Sequence, residues 1–395
     1  MKNVRVAYLA THPIQYQAPL LKRIAKEPDI SLKAFFASDV SVGSFRDSDF
    51  NTTVRWDTPL LDGYDYEFLP AMDNIRRVSA FRPLSRGLGK RLRSGQFSVL
   101  WVHGYFRPQH CLSMILAKRL GMKVLLRDDA TPISSDRGHI KLTVKHAFFR
   151  ILTKIVDGFL TVGTLNRQYY LQYGVKPHQI FNVPWAVDNE LFQARARSAS
   201  AKRESLRDFL GLKRTRAVIL FVGKFMERKR PGDLLEAYAQ MVRCGRGGPT
   251  PYLLYVGDGR LREQLEARAA ELNLDSVRFL GFKSQSELPE FYDLCDVFVM
   301  PTVHEPWGLV VNEVMNAGRA VLVSDEVGCA PDLVESGVNG LVFRARDVTA
   351  LSRALSEILA DPLRLAQMGE KSLERISKWD FEEDVRGLRA ALAMR

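Results

Sequence analysis

Residues 297–318 read VFVMPTVHEPWGLVVNEVMNAG, and this stretch decides the fold. The uncharged run Val297–Met300 predicts a buried β-strand that ends at a proline. Pro306 excludes helix from the residues just before it, because the residue preceding a proline disfavours helical geometry. A helix is predicted from Gly308 to Asn316, and Gly318 is its stop signal. A buried strand followed by a loop and a helix is the repeating unit of a parallel α/β sheet.

The same rhythm of strand and helix continues in both directions from this stretch. Strands are predicted at Val4–Leu9, Ser31–Phe36, Tyr66–Leu69, Val99–His103, Lys123–Arg127, Gly158–Val162, Val218–Val222, Tyr252–Val256, Val277–Leu280, Ala320–Val323 and Leu341–Phe343. Amphipathic helices lie between most of them. This alternation predicts two successive doubly wound, Rossmann-like α/β domains that face a central cleft, with ligands beyond the carboxyl ends of the strands.

Composition places the domain boundaries. Residues 194–201 are small and basic, as in an exposed linker, so we predict domains at 1–193 and 194–376. A last helical stretch lies in 377–395, which we expect to return to the first domain. The polar stretch Ser38–Tyr64 interrupts the rhythm and is predicted to be a long functional loop.

The predicted helix start at Gly308 has the features of an anion site. The free backbone N–H groups of Gly308, Leu309 and Val310 point out of the first turn, and the helix dipole adds to their attraction for a phosphate. Glu305 precedes this helix on a loop, and Glu313 lies in its second turn. Each carboxylate alone is as well explained by capping or solvation, but their combination with the helix start predicts a ligand site.

A second basic element follows another strand. Gly223 ends Val218–Val222, and Lys224 and Lys229 come one and six positions later. Both lysines can converge on a diphosphate as compact point charges. A basic surface turn is the alternative explanation, and the position at a carboxyl strand end favours the ligand.

These residues resemble the retaining glycosyltransferase family 4, whose fold is termed GT-B. The resemblance rests on Glu305 and Glu313 at their spacing and on Gly223, Lys224 and Lys229, and it covers most of the C-terminal domain. It implies a donor that is a nucleoside-diphosphate sugar and a product that keeps the anomeric configuration.

The resemblance also implies residue roles. Lys224 and Lys229 would neutralise the departing diphosphate, Glu305 would orient the sugar, and Glu313 would bind the ribose, with no metal ion or other cofactor. Asp47-Ser48-Asp49 looks like the metal-binding triplet of a different glycosyltransferase fold, but it lies far from the donor helix in sequence, so we predict no metal site there.

The first domain departs from the family pattern. After its first strand this chain has His12 and Gln15 where many members have a glycine pair. Asp128 occupies the position where members often have a histidine, and His103 also ends a strand. We predict that His12, Gln15, His103 and Asp128 face the donor or the acceptor, with Arg127 keeping Asp128 ionised; a structural role is the alternative for His12.

Charge and composition limit the partners. The net charge is +12, with the excess concentrated at Arg76, Arg77, Arg82, Arg86, Lys90, Arg91 and Arg93. A solvated face and a peripheral contact with an acidic membrane surface both explain this excess. No RNA-binding or helix-turn-helix pattern is present, so nucleic acid is not a predicted partner.

The four cysteines are widely spaced and no run is long enough to span a bilayer, which favours a cytoplasmic protein.

The function predicted from the sequence is therefore transfer of a sugar to a hydroxyl of a saccharide, glycolipid or small molecule, in bacterial cell-surface polysaccharide or glycoconjugate synthesis. A UDP-sugar 2-epimerase of similar shape and a basic nucleic-acid-binding protein are the alternatives. A nicotinamide-dependent oxidoreductase is excluded, because no GxGxxG follows a strand.

Overall fold

The computed structural model describes residues 3–47, 52–54, 56–72, 79, 81–134, 139–245 and 249–394. The chain divides into two compact units. The first consists of Met1–Phe45, Thr58–Ala186 and Asp380–Arg395, and the second of Arg46–Asp57 and Val187–Trp379.

The first unit contains a parallel sheet of order β5-β2-β1-β6-β7-β8-β9. Its strands are β1 (Val4–Ala10), β2 (Ile30–Phe36), β5 (Asp65–Phe68), β6 (Val99–His103), β7 (Lys123–Arg127), β8 (Gly158–Thr161) and β9 (Ile180–Asn182). Its helices are α1 (Ala18–Ile24), α2 (Leu88–Ser94), α3 (Pro108–Arg119), α4 (His139–Ile155), α5 (Thr164–Gln172) and α15 (Phe381–Ala393). Two short strands, β3 (Phe45–Asp47) and β4 (Thr52–Val54), pair with each other at the sequence boundary between the units.

The second unit contains a parallel sheet of order β12-β11-β10-β13-β14-β15. Its strands are β10 (Val218–Val222), β11 (Tyr252–Val256), β12 (Val277–Phe279), β13 (Val297–Met300), β14 (Ala320–Ser324) and β15 (Gly340–Phe343). Its helices are α6 (Asn189–Ser200), α7 (Arg203–Phe209), α8 (Pro231–Arg243), α9 (Arg262–Glu271), α10 (Leu288–Leu294), α11 (Leu309–Asn316), α12 (Ala330–Leu333), α13 (Val348–Ile358) and α14 (Pro362–Ile376).

The predicted fold class is confirmed: each unit is a doubly wound α/β sheet. The central strands are continuous apolar runs that are buried on both faces, as strands covered by helices on both sides must be. In each sheet the order of strands reverses beside the first strand. This reversal creates the crevice at the carboxyl ends where open α/β sheets bind ligands.

Two predictions about irregular segments need correction. The stretch Ser38–Tyr64 is not one continuous loop, since it contains β3 and β4. The predicted linker 194–201 lies mostly inside α6, whose Phe192, Ala196 and Ala199 are buried. Small residues there serve close helix packing against α10 and α11, and not chain flexibility. The units accordingly divide after Ala186, before α6, whereas the sequence analysis divides the chain after residue 193.

The last helix packs within the first unit. Asp380 caps the N-terminus of α15, because its carboxylate accepts hydrogen bonds from the backbone N–H groups of Glu382 and Glu383. Its Asp384 forms a buried ion pair with Arg127 at the end of β7, at 3.2 Å. Lys123 Nζ, at the start of β7, donates to the carbonyl of Leu392 near the end of α15, at 2.8 Å.

Several residues singled out above lie outside the described part of the chain. They are Ser48 and Asp49 of the acidic triplet and Arg76 and Arg77 of the basic stretch. Among the helices that the structure describes, none combines the length and the apolar character needed to cross a membrane.

Candidate active site

The two motifs of the second unit meet at the reversal of its sheet. Strands β10 and β13 are hydrogen-bonded neighbours, so the loops that leave their carboxyl ends lie side by side. The loop after β13 is bonded to the loop after β10, because the N–H of Val303 donates to the carbonyl of Arg228 at 2.9 Å. Lys229 and Glu305, which are 76 positions apart in sequence, therefore lie on one surface at the switch point.

Helix α11 begins at this surface without a side-chain cap. Gly308 precedes its first residue with φ 98° and ψ 56°, a left-handed conformation that glycine adopts most readily, and no side chain caps the helix. A Cβ at Gly308 would also lie 3.1 Å from Met300 Sδ and from Val327 Cγ1. The N–H of Val311 donates to the carbonyl of Gly308 at 2.9 Å, whereas the N–H groups of Leu309 and Val310 have no carbonyl one turn earlier to accept them and are available to an anion.

Glu305 lies beside this helix start as the centre of a charged cluster. Its carboxylate oxygen Oε2 is 2.5 Å from Lys229 Nζ and 3.1 Å from a guanidinium nitrogen of Arg228. Burial of Glu305 raises the pKa of its carboxyl, but Lys229 and Arg228 outweigh that effect and hold the pKa below its ordinary value. The carboxylate is therefore ionised, and the cluster keeps one more positive than negative charge beside the helix start.

Arg228 is a site residue that the sequence analysis missed. It lies between Glu227 and Lys229 in a short 3-10 helix, where neighbouring side chains point in different directions. The run of alternating charges in the sequence does not show which cation turns inward. Proximity to Lys229 and the position after a carboxyl strand end were the available signals.

The loop that carries Glu305 is held by backbone bonds to the loop after β14. The N–H of Glu305 donates to the carbonyl of Glu326 at 3.1 Å, and its own carbonyl accepts from Gly328 at 2.9 Å. The indole of Trp307 donates to Asn312 of α11 at 2.9 Å. These bonds fix the Glu305 carboxylate relative to the helix start.

Glu313 is fully buried in the second turn of α11. Its oxygen Oε2 accepts a hydrogen bond from the hydroxyl of Tyr292, on α10, at 2.5 Å. Tyr292 was not predicted as a site residue, because it lies 21 positions earlier in the sequence, on another helix. The bond orients the Glu313 carboxylate within the unit.

The loop after Gly223 is packed tightly against the loop after β11. The N–H of Phe225 donates to the carbonyl of Asp258 at 2.8 Å. A Cβ at Gly257 would lie only 1.9 Å from the carbonyl oxygen of Gly223, so this close approach requires glycine. The packing fixes the position from which the half-buried Lys224 extends.

The four candidates of the first unit lie at the carboxyl edge of its sheet. His12 and Gln15 follow β1, His103 ends β6, and Asp128 follows β7; these three strands are adjacent. Atoms His12 Nδ1 and Gln15 Oε1 are buried without a hydrogen-bond partner among the described residues. Asp128 accepts from the backbone N–H of Ala130 at 2.8 Å.

Two findings modify the prediction for the first unit. The guanidinium of Arg127 is directed to Asp384 and to the carbonyls of Val183 and Pro184, so its ion pair is with the last helix. The side-chain amide of Gln17, which the sequence analysis did not select, lies 2.8 Å from Nε2 of His103.

The histidines at this edge are held neutral. Burial lowers the pKa of His103 to about 3, with Arg127 and neighbouring histidines adding to the effect. Burial, together with Arg107, lowers the pKa of His12 to about 4. Neutral imidazoles at this edge can accept hydrogen bonds from hydroxyl groups at neutral pH.

The lowered pKa of His103 predicts that the protein loses stability in acid. The unfolded chain takes up a proton near the ordinary pKa of 6.5 and the folded chain does not, so the free energy of unfolding falls as the pH falls below about 6.5. Between pH 7 and pH 5 we expect wild type to lose about 2 kcal/mol more than His103→Gln does. Urea unfolding of both proteins at the two pH values measures the difference, and equal losses would contradict the shift.

No group of three or more His, Cys, Asp or Glu side chains is arranged to hold a metal ion in the ranges that the structure describes. Positive charge at the second-unit site comes from Arg228, Lys229 and the start of α11.

Comparison with known proteins finds sequence similarity in the second unit. Residues 202–375 match the family model for glycosyl transferases group 1. D-inositol 3-phosphate glycosyltransferase of Gordonia bronchialis is 28% identical over 54% of this chain and 46% of its own length. Lipopolysaccharide core biosynthesis glycosyltransferase LpsE of Rhizobium meliloti is 35% identical over 40% of this chain and 44% of its own length. The chain thus spans about half the length of the curated relatives it matches.

The fold likeness extends over the whole chain. The crystal structure of Anabaena Alr3699/HepE in complex with UDP superposes with a TM-score of 0.73 at 15% identity and covers 100% of both chains. At this identity the likeness establishes the fold. Residues 202–375 are therefore similar in sequence to the group 1 glycosyl transferases, and the chain as a whole shares the fold of the HepE structure.

Proposed function

We propose that this protein transfers a sugar from a nucleoside diphosphate to a hydroxyl group, with retention of the anomeric configuration. The observation that carries the proposal is the cluster of Glu305, Lys229 and Arg228 beside the uncapped start of α11, at the switch point of a parallel sheet. A diphosphate needs several donors and excess positive charge, and this surface supplies both.

The donor's phosphates would lie on the first turn of α11 and against Lys224 and Lys229. Lys229 would then be shared between the diphosphate and Glu305, whose carboxylate holds the ammonium group in place before the substrate arrives. Such preorganised charge is most effective where negative charge develops during the reaction. Glu305 would also accept hydrogen bonds from the transferred sugar, and Glu313 from the ribose.

In the reaction, the bond between the anomeric carbon and the phosphate oxygen breaks, and its electron pair leaves with the nucleoside diphosphate. The acceptor oxygen forms the new bond on the same face of the sugar, and its proton passes to the departing phosphate oxygen. The excess charge of the cluster stabilises the leaving diphosphate, so we propose that the protein works without a metal ion or other cofactor.

The acceptor would bind the first unit. His12 and Gln15 have buried polar atoms without partners among the described residues, next in the sheet to His103 and Asp128. Groups of this kind suit the hydroxyls of a saccharide. The inositol phosphate and the lipopolysaccharide core in the names of the relatives are both polyhydroxylated and anionic, which supports a saccharide or lipid-linked acceptor in cell-surface glycoconjugate synthesis. A cytoplasmic location remains a prediction.

A donor screen tests the proposal. Calorimetric titration with UDP, GDP, ADP and dTDP should find one nucleoside diphosphate that binds, and the matching nucleotide sugars should be hydrolysed slowly in the absence of acceptor. Analysis of the released sugar separates the alternatives, because a 2-epimerase would release the epimer. If none of the four binds at millimolar concentration, the proposed donor site is wrong.

A further inference from the structure

One helical layer of the first unit carries positive charge and exposed aliphatic side chains but no acidic residue. Helix α3 packs against α2 on one side and α4 on the other, so the three helices form a continuous layer. Their sequences contain lysines and arginines but no aspartate or glutamate. Across the wider stretch from residue 74 to residue 127 there is no acidic residue at all.

The second unit provides an internal comparison. Its helices α8, α9, α13 and α14 cover a sheet of the same topology, and every one of them contains aspartate or glutamate as well as lysine or arginine. Mixed charge is the ordinary composition of a solvated helix face. The acid-free layer of the first unit is therefore not a requirement of the fold.

Some cations of the layer are paired with acidic side chains and others are not. Arg91 pairs with Glu67 and Lys118 with Asp157, both acidic residues that lie outside the three helices. The exposed Lys90, Arg93 and Lys154 make no ion pair with any acidic residue in the described ranges.

Large aliphatic side chains lie exposed on α3 and α4 of the same layer. Leu112 on α3 is 66% exposed, and Val144 and Ile151 on α4 are 66% and 64% exposed. Val144 and Ile151 are two helical turns apart and so lie on the same side of α4, with Ala147 exposed between them. Aliphatic groups in water are unfavourable, and grouped ones indicate a surface that is covered in use.

From this layer we infer that the first unit docks on an anionic lipid bilayer through α2, α3 and α4. Lysine and arginine side chains are attracted to the acidic head groups, and the aliphatic side chains enter the boundary between head groups and acyl chains. A second copy of this chain would present the same positive face and be repelled. Nucleic acid would satisfy the cations, but its binding gains nothing from exposed leucine, isoleucine and valine.

The surface shares Lys90, Arg91 and Arg93 of α2 with the basic stretch seen in the sequence. It extends that stretch by the cations and the exposed aliphatic side chains of α3 and α4, and so combines apolar contact with charge. The inference does not rest on the proposed glycosyl transfer, since lipid binding is measured without donor or acceptor. It would place the first unit, where the acceptor is proposed to bind, at a membrane surface.

Co-sedimentation with vesicles tests the inference. The full-length protein should bind vesicles of equal parts phosphatidylcholine and phosphatidylglycerol, and binding to pure phosphatidylcholine should be at least tenfold weaker. The double variant Lys90→Gln/Arg93→Gln should bind the acidic vesicles roughly twentyfold more weakly, because each cation near such a surface contributes about fivefold. The double variant Leu112→Ser/Ile151→Ser should also lose at least fivefold.

Matched controls come from the second unit. Phe209 and Leu363 are exposed apolar residues, at 86% and 78%, and Lys371 and Lys378 are exposed cations. Their serine and glutamine variants should bind vesicles as wild type does. The circular dichroism spectrum of every variant reports on folding, and titration with the nucleoside diphosphate found in the donor screen reports separately on the proposed donor site.

Three outcomes would overturn the inference. The first is no binding of wild type to the acidic vesicles. The second is an equal loss in the control variants. The third is tight binding to double-stranded DNA that needs Lys90 and Arg93 but not Leu112 and Ile151, which would identify the layer as a nucleic-acid surface.

Discussion

Replacing Lys229 by alanine should lower kcat for sugar transfer about 100-fold to 1,000-fold. The ammonium group of Lys229 lies 2.5 Å from the buried carboxylate of Glu305, so its position is fixed before the donor binds. Removing one preorganised charge of this kind from a developing anion typically costs that much in turnover. The variant also leaves Glu305 with Arg228 as its cation, so the pKa of the Glu305 carboxyl should rise towards its ordinary value.

Steady-state kinetics with the nucleotide sugar found in the donor screen measures the effect. Lys371→Ala is the matched control, because Lys371 is an exposed lysine of the same unit that pairs with Glu374 on the surface. Lys229→Arg should recover part of the activity, since it keeps the charge but not the compact geometry. A kcat within threefold of wild type in Lys229→Ala would show that the cluster does not stabilise the leaving group.

Replacing Glu313 by alanine should weaken nucleotide binding about 30-fold to 100-fold, with a smaller effect on kcat. A carboxylate that accepts hydrogen bonds from ribose hydroxyls makes charge-assisted bonds, which are stronger than neutral ones. Glu313 is fixed for this role by the hydroxyl of Tyr292 at 2.5 Å. Titrations of wild type and variant with the nucleoside diphosphate, with inorganic phosphate and with the free base locate the lost binding. If Glu313 binds the ribose, only the affinity for the nucleoside diphosphate should fall, because the other two ligands have no ribose.

Because Glu313 is buried, a structural effect must be separated from a loss of ligand contact. Tyr292→Phe removes the same internal hydrogen bond but keeps the carboxylate, so it serves as the control. We expect its dissociation constant for nucleotide to rise less than fivefold, whereas both variants should lose similar stability to urea. Equal affinities for nucleotide in the two variants would mean that Glu313 supports the fold and does not bind the ribose.

The sequence predicts the sheets well because their strands are buried on both faces. Strands such as Val218–Val222 and Val297–Met300 are uninterrupted apolar runs, and their limits in the structure are those predicted. Residues 194–201 resemble a linker in sequence although most of them lie in α6, because their burial depends on α10 and α11, which are distant in sequence. Strands β3 and β4 have only three residues each, too few to show a period.

The sequence predicts where the candidate site lies better than it predicts which side chains contact each other there. The end of one strand and the start of one helix locate Glu305 and Lys229 near the switch point. Their ion pair depends on the direction of side chains in a 3-10 turn, and local sequence does not determine that direction. The partners Arg228, Tyr292 and Gln17 come from packing between separate elements. Such contacts carry no pattern in the sequence.

The most direct test of the account is a crystal structure of the protein with the nucleoside diphosphate that binds most tightly in the donor screen. We predict that a phosphate lies within about 3 Å of first-turn N–H groups of α11 and of Lys229 Nζ, with the ribose hydroxyls at Glu313. A nucleotide bound elsewhere, or an empty α11 terminus at saturating concentration, would contradict the proposed donor site.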